Sequence, residues 1–476
     1  MFYTNRLPTK KSKTKLVTLG FGSTNTVLDE NLLSQSVSRV NFNCDGSSGA
    51  LQSLCGIEKF VVNGDLQFSH NVLKVWHFAP SQSSEVLIAF LQDFNLYTVN
   101  LTSGQITKIS SQPLLAVPDA VSYRMLDEDV MLFCSAQDSL KVFDGQNFYA
   151  IESAPQIVSM CVHYERIFGC FGNTLWFSDD LDPTNWNISA TEAGYVEMAD
   201  DRGKLLKVVS FADYLYVFRE YGIARVSAYS SQQDFAVNQL FVTSGKIYPE
   251  TVSICGDKIL FLSQDGLYLF DGAETTKLLS DMDGLFDHID NVNACAEYSG
   301  GKYYLSCALN FGEDVRYSNE QNSQNNAVVV YDFQKGNVSL IRGADVRFMK
   351  NTTLTQSQLL MCLGGQLGTY VGKLTNNGKL FDTVLPKYWK MPQSQLGQSM
   401  AQKYLEYVVL TTKADVTLEV ECDGQLHLFE IMGSTLAQKV PLKLSGKVFS
   451  FAFYTENPTL YVSMPRVVYK TYSEEV

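Results

Sequence analysis

A strand–turn–strand unit recurs seven times through the middle of this chain, and that repeat constrains the fold more than any other feature. Each copy is a short apolar run, a polar tight turn, and a second apolar run closed by another turn. The copies are Val86–Phe90 with Leu96–Val99, Val130–Ser135 with Leu140–Phe143, and Arg166–Phe171 with Leu175–Phe177. They continue as Tyr214–Phe218 with Ile223–Val226, Lys258–Leu262 with Leu267–Phe270, Tyr303–Cys307 with Ala327–Tyr331, and Leu359–Leu363 with Thr369–Val371. Aligning Tyr97, Val142, Trp176, Ala224, Tyr268, Val329 and Tyr370 gives a mean spacing of about 45 residues, the period of four-stranded propeller blades. The dipeptides Asp144-Gly145 and Asp271-Gly272 close two units, as expected where a tight hairpin needs φ > 0. An irregular stack of hairpins in sandwiches is the other architecture such a pattern allows.

The reading is all-β: a β-propeller of about seven hairpin repeats over residues 61–385. Its inner strands are expected from continuous apolar runs such as Val130–Ser135 and Lys258–Leu262. The longest spacing holds Gly312–Asn326, a polar stretch that reads as a surface loop. Residues 1–60 and 386–476 fall outside the repeat. The tail carries evenly spaced strand signals at Tyr404–Thr411, Asp415–Glu421, Gln425–Ile431, Lys439–Leu444, Lys447–Tyr454 and Thr459–Met464. These predict a β-sandwich-like platform, built together with the N-terminal segment.

Ten cysteines occur without any CxxC pair, and most lie inside apolar runs, as reduced core thiols do. That points to folding in a cytoplasm. No apolar run reaches the roughly 18 residues of a membrane-spanning helix, so a soluble chain is expected. Leu16 to Gly22 is too short and polar for a secretory signal, although Arg6, Lys10, Lys11, Lys13 and Lys15 precede or begin it. These cations read as an arm that docks on a neighbour or as a simple tail. The formal net charge of −13 argues against a protein that grips nucleic acid by its phosphates. It suits a wall past which DNA slides.

No catalytic or metal pattern emerges. The five histidines are scattered, and Asp281-Met282-Asp283-Gly284 departs from a calcium loop, its glycine coming two residues early. Neither Ser263–Gly266 nor Ser178–Asp182 matches the turn of sialidase-type blades. The reading is therefore no enzyme and no cofactor.

Two segments carry a resemblance. Leu28–Leu33, Arg39-Val40-Asn41, Ser48-Gly49-Ala50-Leu51 and Cys55-Gly56-Ile57 look like the opening of many phage tail and DNA-stabilisation proteins. Cys55 stands where that pattern often has proline. Leu175-Trp176-Phe177-Ser178-Asp179-Asp180-Leu181-Asp182-Pro183-Thr184-Asn185-Trp186 is similar to a strand and turn common in phage propeller proteins, with Trp186 expected to cover the third blade's edge. The order of runs from Phe211 to Phe270 also resembles the tail hub, or packaged-DNA stabilisation, proteins of short-tailed bacteriophages. That resemblance implies a virion tail protein assembled in the host cytoplasm. It implies a ring of six copies below the portal-adaptor ring, continuing the DNA channel, retaining packaged DNA and anchoring fibres or needle components. The alternative is a glycan-binding or glycan-cleaving propeller such as a receptor-binding adhesin.

Overall fold

The chain is described here by a computed structural model covering residues 12–22, 38–45, 49–228, 232, 235–287, 289–312, 316–317, 324–352, 358–365, 368–397 and 401–472. Its middle forms seven antiparallel sheets in chain order, each a blade. Blade one runs Val72–Phe78, Val86–Leu91, Leu96–Asn100 and Ile106–Lys108; blade two starts at Asp119–Met125 and blade three at Ser159–His163. Blades four to six begin at Leu205–Phe211, Ser253–Cys255 and Cys295–Ser299. Blade seven takes only three strands of its own, Val346–Thr352, Gln358–Gly365 and Gly368–Thr375. Its fourth is Gly56–Lys59, which reaches back from the N-terminal side and pairs antiparallel with Gly368–Thr375. The ring closes where Val346–Thr352 packs beside Val72–Phe78 of blade one.

The propeller is thus seven-bladed, and its closing strand lies before residue 60. The expected boundary at residues 60 and 61 put that strand in the platform. A four-residue strand, GIEK, carries no sign of which sheet it will join, because pairing partners are chosen in three dimensions.

The runs expected to supply inner strands are interior strands of their blades but do not line the axis. Glu128–Cys134 and Lys258–Ser263 are the second strands of their blades, and the innermost positions belong to Asp119–Met125 and Ser253–Cys255. Second strands lie between two neighbouring blades and bury both faces, which is why they read as unbroken apolar runs. First strands face the axis on one side and mix apolar with charged residues.

The core follows from this geometry. One apolar cluster fills each seam: Trp76, Phe78, Ile88, Met131 and Phe133 between blades one and two, and Tyr123, Leu132, Ile157, Met160 and Trp186 between two and three. Cys134, Cys170, Cys255, Cys295, Cys307 and Cys362 are buried in these seams as free thiols, and burial pushes each of them up.

The remaining strands make a sandwich. Its larger sheet holds Ser12–Thr18, Arg466–Tyr472, Lys403–Thr412, Tyr461–Val462, Ala50–Ser53 and Phe42–Asp45, with Ser434–Gly446 also on Lys403–Thr412. The smaller sheet orders Ser38–Val40, Lys387–Lys390, Phe449–Thr455, Val416–Cys422 and Gln425–Ile431. Between them lie Leu51, Trp389, Leu405, Leu418, Phe451 and Phe453. N- and C-terminal parts therefore share one core. Lys13 and Lys15 belong to a paired edge strand, not a loose arm; Arg6, Lys10, Lys11 and Leu28–Leu33 lie outside the described residues. Among the described residues, no helix is long and apolar enough to cross a membrane.

Candidate functional site: the axial channel and the sandwich joint

The first strands bring a ring of charge to the propeller axis. Lys74 of blade one donates to Asp119 of blade two at 3.2 Å and to Glu250, in the turn leading to blade five, at 2.7 Å. The hydroxyl of Ser159, from blade three, hydrogen-bonds Asp119, and Lys207 of blade four adds its field to both carboxylates. Across the channel Lys350 of blade seven meets Glu297 of blade six at 3.0 Å. All seven blades contribute to this arrangement, and its three ammoniums balance its three carboxylates.

The side chains of Lys74 and Asp119 are 7% and 10% exposed, so their charges survive only as a pair. Burial alone would pull the Lys74 ammonium down, but Asp119 and Glu250 outweigh it and hold the group above its usual range. Burial would likewise raise Asp119 and Glu250, yet Lys74 and then Lys207 keep both below the ordinary carboxylate range. A cavity of about 450 Å³ lies along this axis, walled by Val75, Trp76, Val121, Val209, Val252, Ile254 and Phe348 around the charges. A second, of about 220 Å³, shares Lys74, Glu250 and Phe348 and opens past Val117 and Val292. Lys74 and Glu250 thus stand between two shallow chambers. Among the described residues no group of three or more His, Cys, Asp or Glu side chains could hold a metal ion. Asp281 and Asp283 lie in consecutive helical turns, with Asp283 paired to Lys277 at 2.7 Å.

The residues singled out from the sequence do not converge on this channel. Asp144-Gly145 and Asp271-Gly272 occupy equivalent outer turns of blades two and five. Asp144 accepts from the backbone of Gln146 and Asn147, and Asp271 from Ala273 and Glu274. Gly145 and Gly272 both have positive φ, and the Gly272 carbonyl accepts from the Tyr216 hydroxyl at 3.0 Å. Asp179, Asp182, Pro183 and Trp186 do come together in one loop. Asp182 accepts from Thr184, Asp179 from the Glu192 backbone, and the Pro183 carbonyl from the Trp186 indole at 2.9 Å. Trp186, 7% exposed, reaches past blade three into the seam with blade two. Trp176 pairs with Gly169, and its ring lies tilted against that of Tyr195, 5.1 Å between centroids.

Gly49, Leu51 and Gly56 mark the sandwich and the ring closure. Gly49 turns at φ +61, where a β-carbon would meet the Met464 sulfur. Leu51 is buried in the sandwich core. At Gly56 a β-carbon would strike the Lys379 backbone at 2.2 Å, so only glycine lets the closing strand pass.

Asn41, within the same resembling segment, ties the two modules. Its amide donates to the carbonyls of Arg342 and Pro386 at 3.1 and 2.7 Å, and its oxygen accepts from the Arg342 backbone at 2.9 Å. Its own backbone N–H reaches Leu340 at 2.8 Å. Beside it Arg39 donates to the Val338 carbonyl, and Arg316 stacks on Tyr388 while pairing with Glu419 at 3.2 Å. The sandwich is seated on the outermost strand of blade six.

Sequence reasoning missed the axial charges. A signal was present: Val72-Leu73-Lys74, Leu205-Leu206-Lys207 and Phe348-Met349-Lys350 each place a lysine after two apolar residues in a first strand.

The architecture and channel define the chain as a seven-bladed β-propeller carrying a docked β-sandwich. No family model matches it, and no curated protein does. Among similar solved structures is Chaetomium thermophilum Raptor, at 9% identity and a TM-score of 0.46, covering 67% of this chain and 29% of that one. Another is BBS1N in complex with ARL6DN, at 11% identity and a TM-score of 0.43, covering 71% and 98%. The chain thus spans less than a third of the first of these.

Proposed function

We propose that this chain is a structural subunit of a bacteriophage tail. Copies of it form a ring-shaped hub or nozzle that continues the DNA channel below the portal-adaptor ring and anchors fibres or needle components. The charge pairing along the propeller axis supports this reading best. A ligand or substrate site presents converging polar groups with capacity to spare; here five of the six axial charges are paired with one another, which leaves the outer surface to do the work. The conduit is then the axis of the ring, not the axis of a propeller. The surplus of 13 negative charges suits a wall that must let phosphate slide past. The segments around Asn41 and Trp186 resemble those of phage tail and phage propeller proteins, and the order of runs from Phe211 to Phe270 resembles that of tail hub proteins.

The test is the mass and shape of the purified full chain, by native mass spectrometry and negative-stain imaging, together with its location in particles. Rings of six copies with an axial hole, and antibody labelling at the tail, are the expected outcome. A monomer that binds or cleaves a glycan would overturn the proposal in favour of an adhesin or glycosidase.

A further inference from the structure

Among the described residues, two edge strands of the sandwich's larger sheet are each paired on one side. At one edge Ser12–Thr18 pairs, among the described residues, with Arg466–Tyr472 alone, and Leu16 is 60% exposed there. At the other, Ser434–Gly446 pairs with Lys403–Thr412, and its far edge meets no strand among the described residues. The strand preceding it, Gln425–Ile431, is the open edge of the smaller sheet on the same side. Along these two consecutive strands Leu426, Leu428, Met432 and Leu436 are exposed by 60, 60, 68 and 75%. Unpaired backbone flanked by exposed leucines is a template for another strand, and proteins that do not use such an edge blunt it.

We propose that this edge receives a second copy of the chain, by sheet extension. The Ser12–Thr18 strand of one copy pairs with the Ser434–Val440 run of the next, and the exposed leucines close over the joint. Three observations select this occupant. The two edges are different strands of the same sheet, so a contact between them is heterologous and, repeated head to tail, can build a ring. Their lengths match: the first edge has seven residues, and the second offers seven before Pro441, which has no N–H to donate. Carboxylates flank the receiving edge. Lys13 and Lys15 make no ion pair among the described residues, nor do Glu430 and Asp415 beside the receiving edge. Glu430 accepts only from Thr417 and Asp415 from the Gly433 backbone. Lys439, which lies in the receiving run and would stand opposite Lys13, is turned onto the ring of Tyr407, and the nearby Lys413 onto that of Tyr461. The inference rests on the ring reading above and identifies the surface that would build the ring.

The experiment uses the full chain. Sedimentation velocity compares the parent with Lys13→Glu/Lys15→Glu, with Leu426→Ser/Leu428→Ser/Leu436→Ser, and with the charge swap that adds Glu430→Lys to the first pair. All changed side chains are exposed, so unchanged circular dichroism is the control for folding. The first two variants are expected to weaken self-association by about tenfold or more, and the swap to recover part of it. Separately, Thr14→Cys and Gln438→Cys chains should form a disulfide-linked dimer only when mixed. Rings that form equally well in every variant, or give no mixed cross-link, overturn this inference and leave the ring reading standing. A parent chain that stays monomeric and gives no cross-link overturns both.

Discussion

Lys74 holds the centre of the propeller together, because it is the one cation that touches both buried carboxylates. Replacing it with methionine leaves Asp119 and Glu250 facing each other with only the field of Lys207 to offset them. An orphaned buried charge typically costs about 3–5 kcal/mol, and Asp119, the more buried of the two, should carry most of that loss. Chemical denaturation of Lys74→Met at pH 7 measures it. The pH dependence has a defined sign. Asp119 and Glu250 are held low, so their contribution is present above their ordinary values and lost as pH falls through the folded ones. Lys74 is held high, so its contribution is present below about pH 10, its ordinary range, and lost as pH rises further. The gap between parent and variant should be flat from about pH 5 to 10 and narrow in acid, where the variant's carboxylates take up protons. A gap that widens below pH 4 would contradict this assignment. Trp186 makes a second residue-scale prediction. Truncating a buried tryptophan costs about 3–5 kcal/mol, so Trp186→Ala should lower the denaturation midpoint while Ile188→Ala, at a 52% exposed neighbour, leaves it unchanged. Its burial was foreseen from the Asp-x-x-Asp-Pro turn that aims it. That it seals a seam between two blades was not, since the second blade's surface is supplied by residues more than thirty positions away.

At the scale of elements, the joint between propeller and sandwich depends on a few backbone-directed bonds. Asn41 satisfies four partners at once from a left-handed conformation, φ 58, which asparagine tolerates better than other side chains. Asn41→Ala removes its side-chain bonds to the Arg342 N–H and carbonyl and to the Pro386 carbonyl, the last of which keeps the Tyr317 hydroxyl, and each buried orphan costs about 1–3 kcal/mol. The expected result is a separate early unfolding transition in calorimetry, with new protease cleavage near the joint. A single transition at the parent temperature would mean the modules are held by their apolar contact alone. Lys387, fully buried in the same region, donates to the carbonyls of Gly378 and Leu385, and burial lowers it to about 8. A lysine held low in the fold makes stability rise as pH climbs from its folded value toward its ordinary one, about 10.4. The difference in unfolding free energy between the parent and Lys387→Met should therefore grow in the parent's favour between pH 8 and 10. The hairpins themselves were legible along the chain because each second strand is apolar on both faces. Which strand lies innermost was not, since first strands alternate weakly and carry the charges that face the axis.

For the whole molecule, the balance of charge along the axis and the excess outside it make a joint prediction. The assembled protein should bind duplex DNA weakly even at low salt, with little change as salt rises, because few phosphates would be neutralised. Tight binding that weakens steeply with salt would mean that the protein clamps DNA. The number of repeats, the all-β class and the reduced buried cysteines follow from the sequence itself, since they depend on local patterns: apolar runs of strand length, turns that demand φ > 0, and thiols inside those runs. The closing of blade seven by Gly56–Lys59, the pairing of Lys74 with Asp119 and Glu250, and the sharing of one sandwich core by both ends of the chain were decided only in the tertiary structure. Each joins residues from 45 to more than three hundred positions apart, and nothing in a local stretch of sequence encodes its distant partner. Only closing the ring brings those partners within bonding distance.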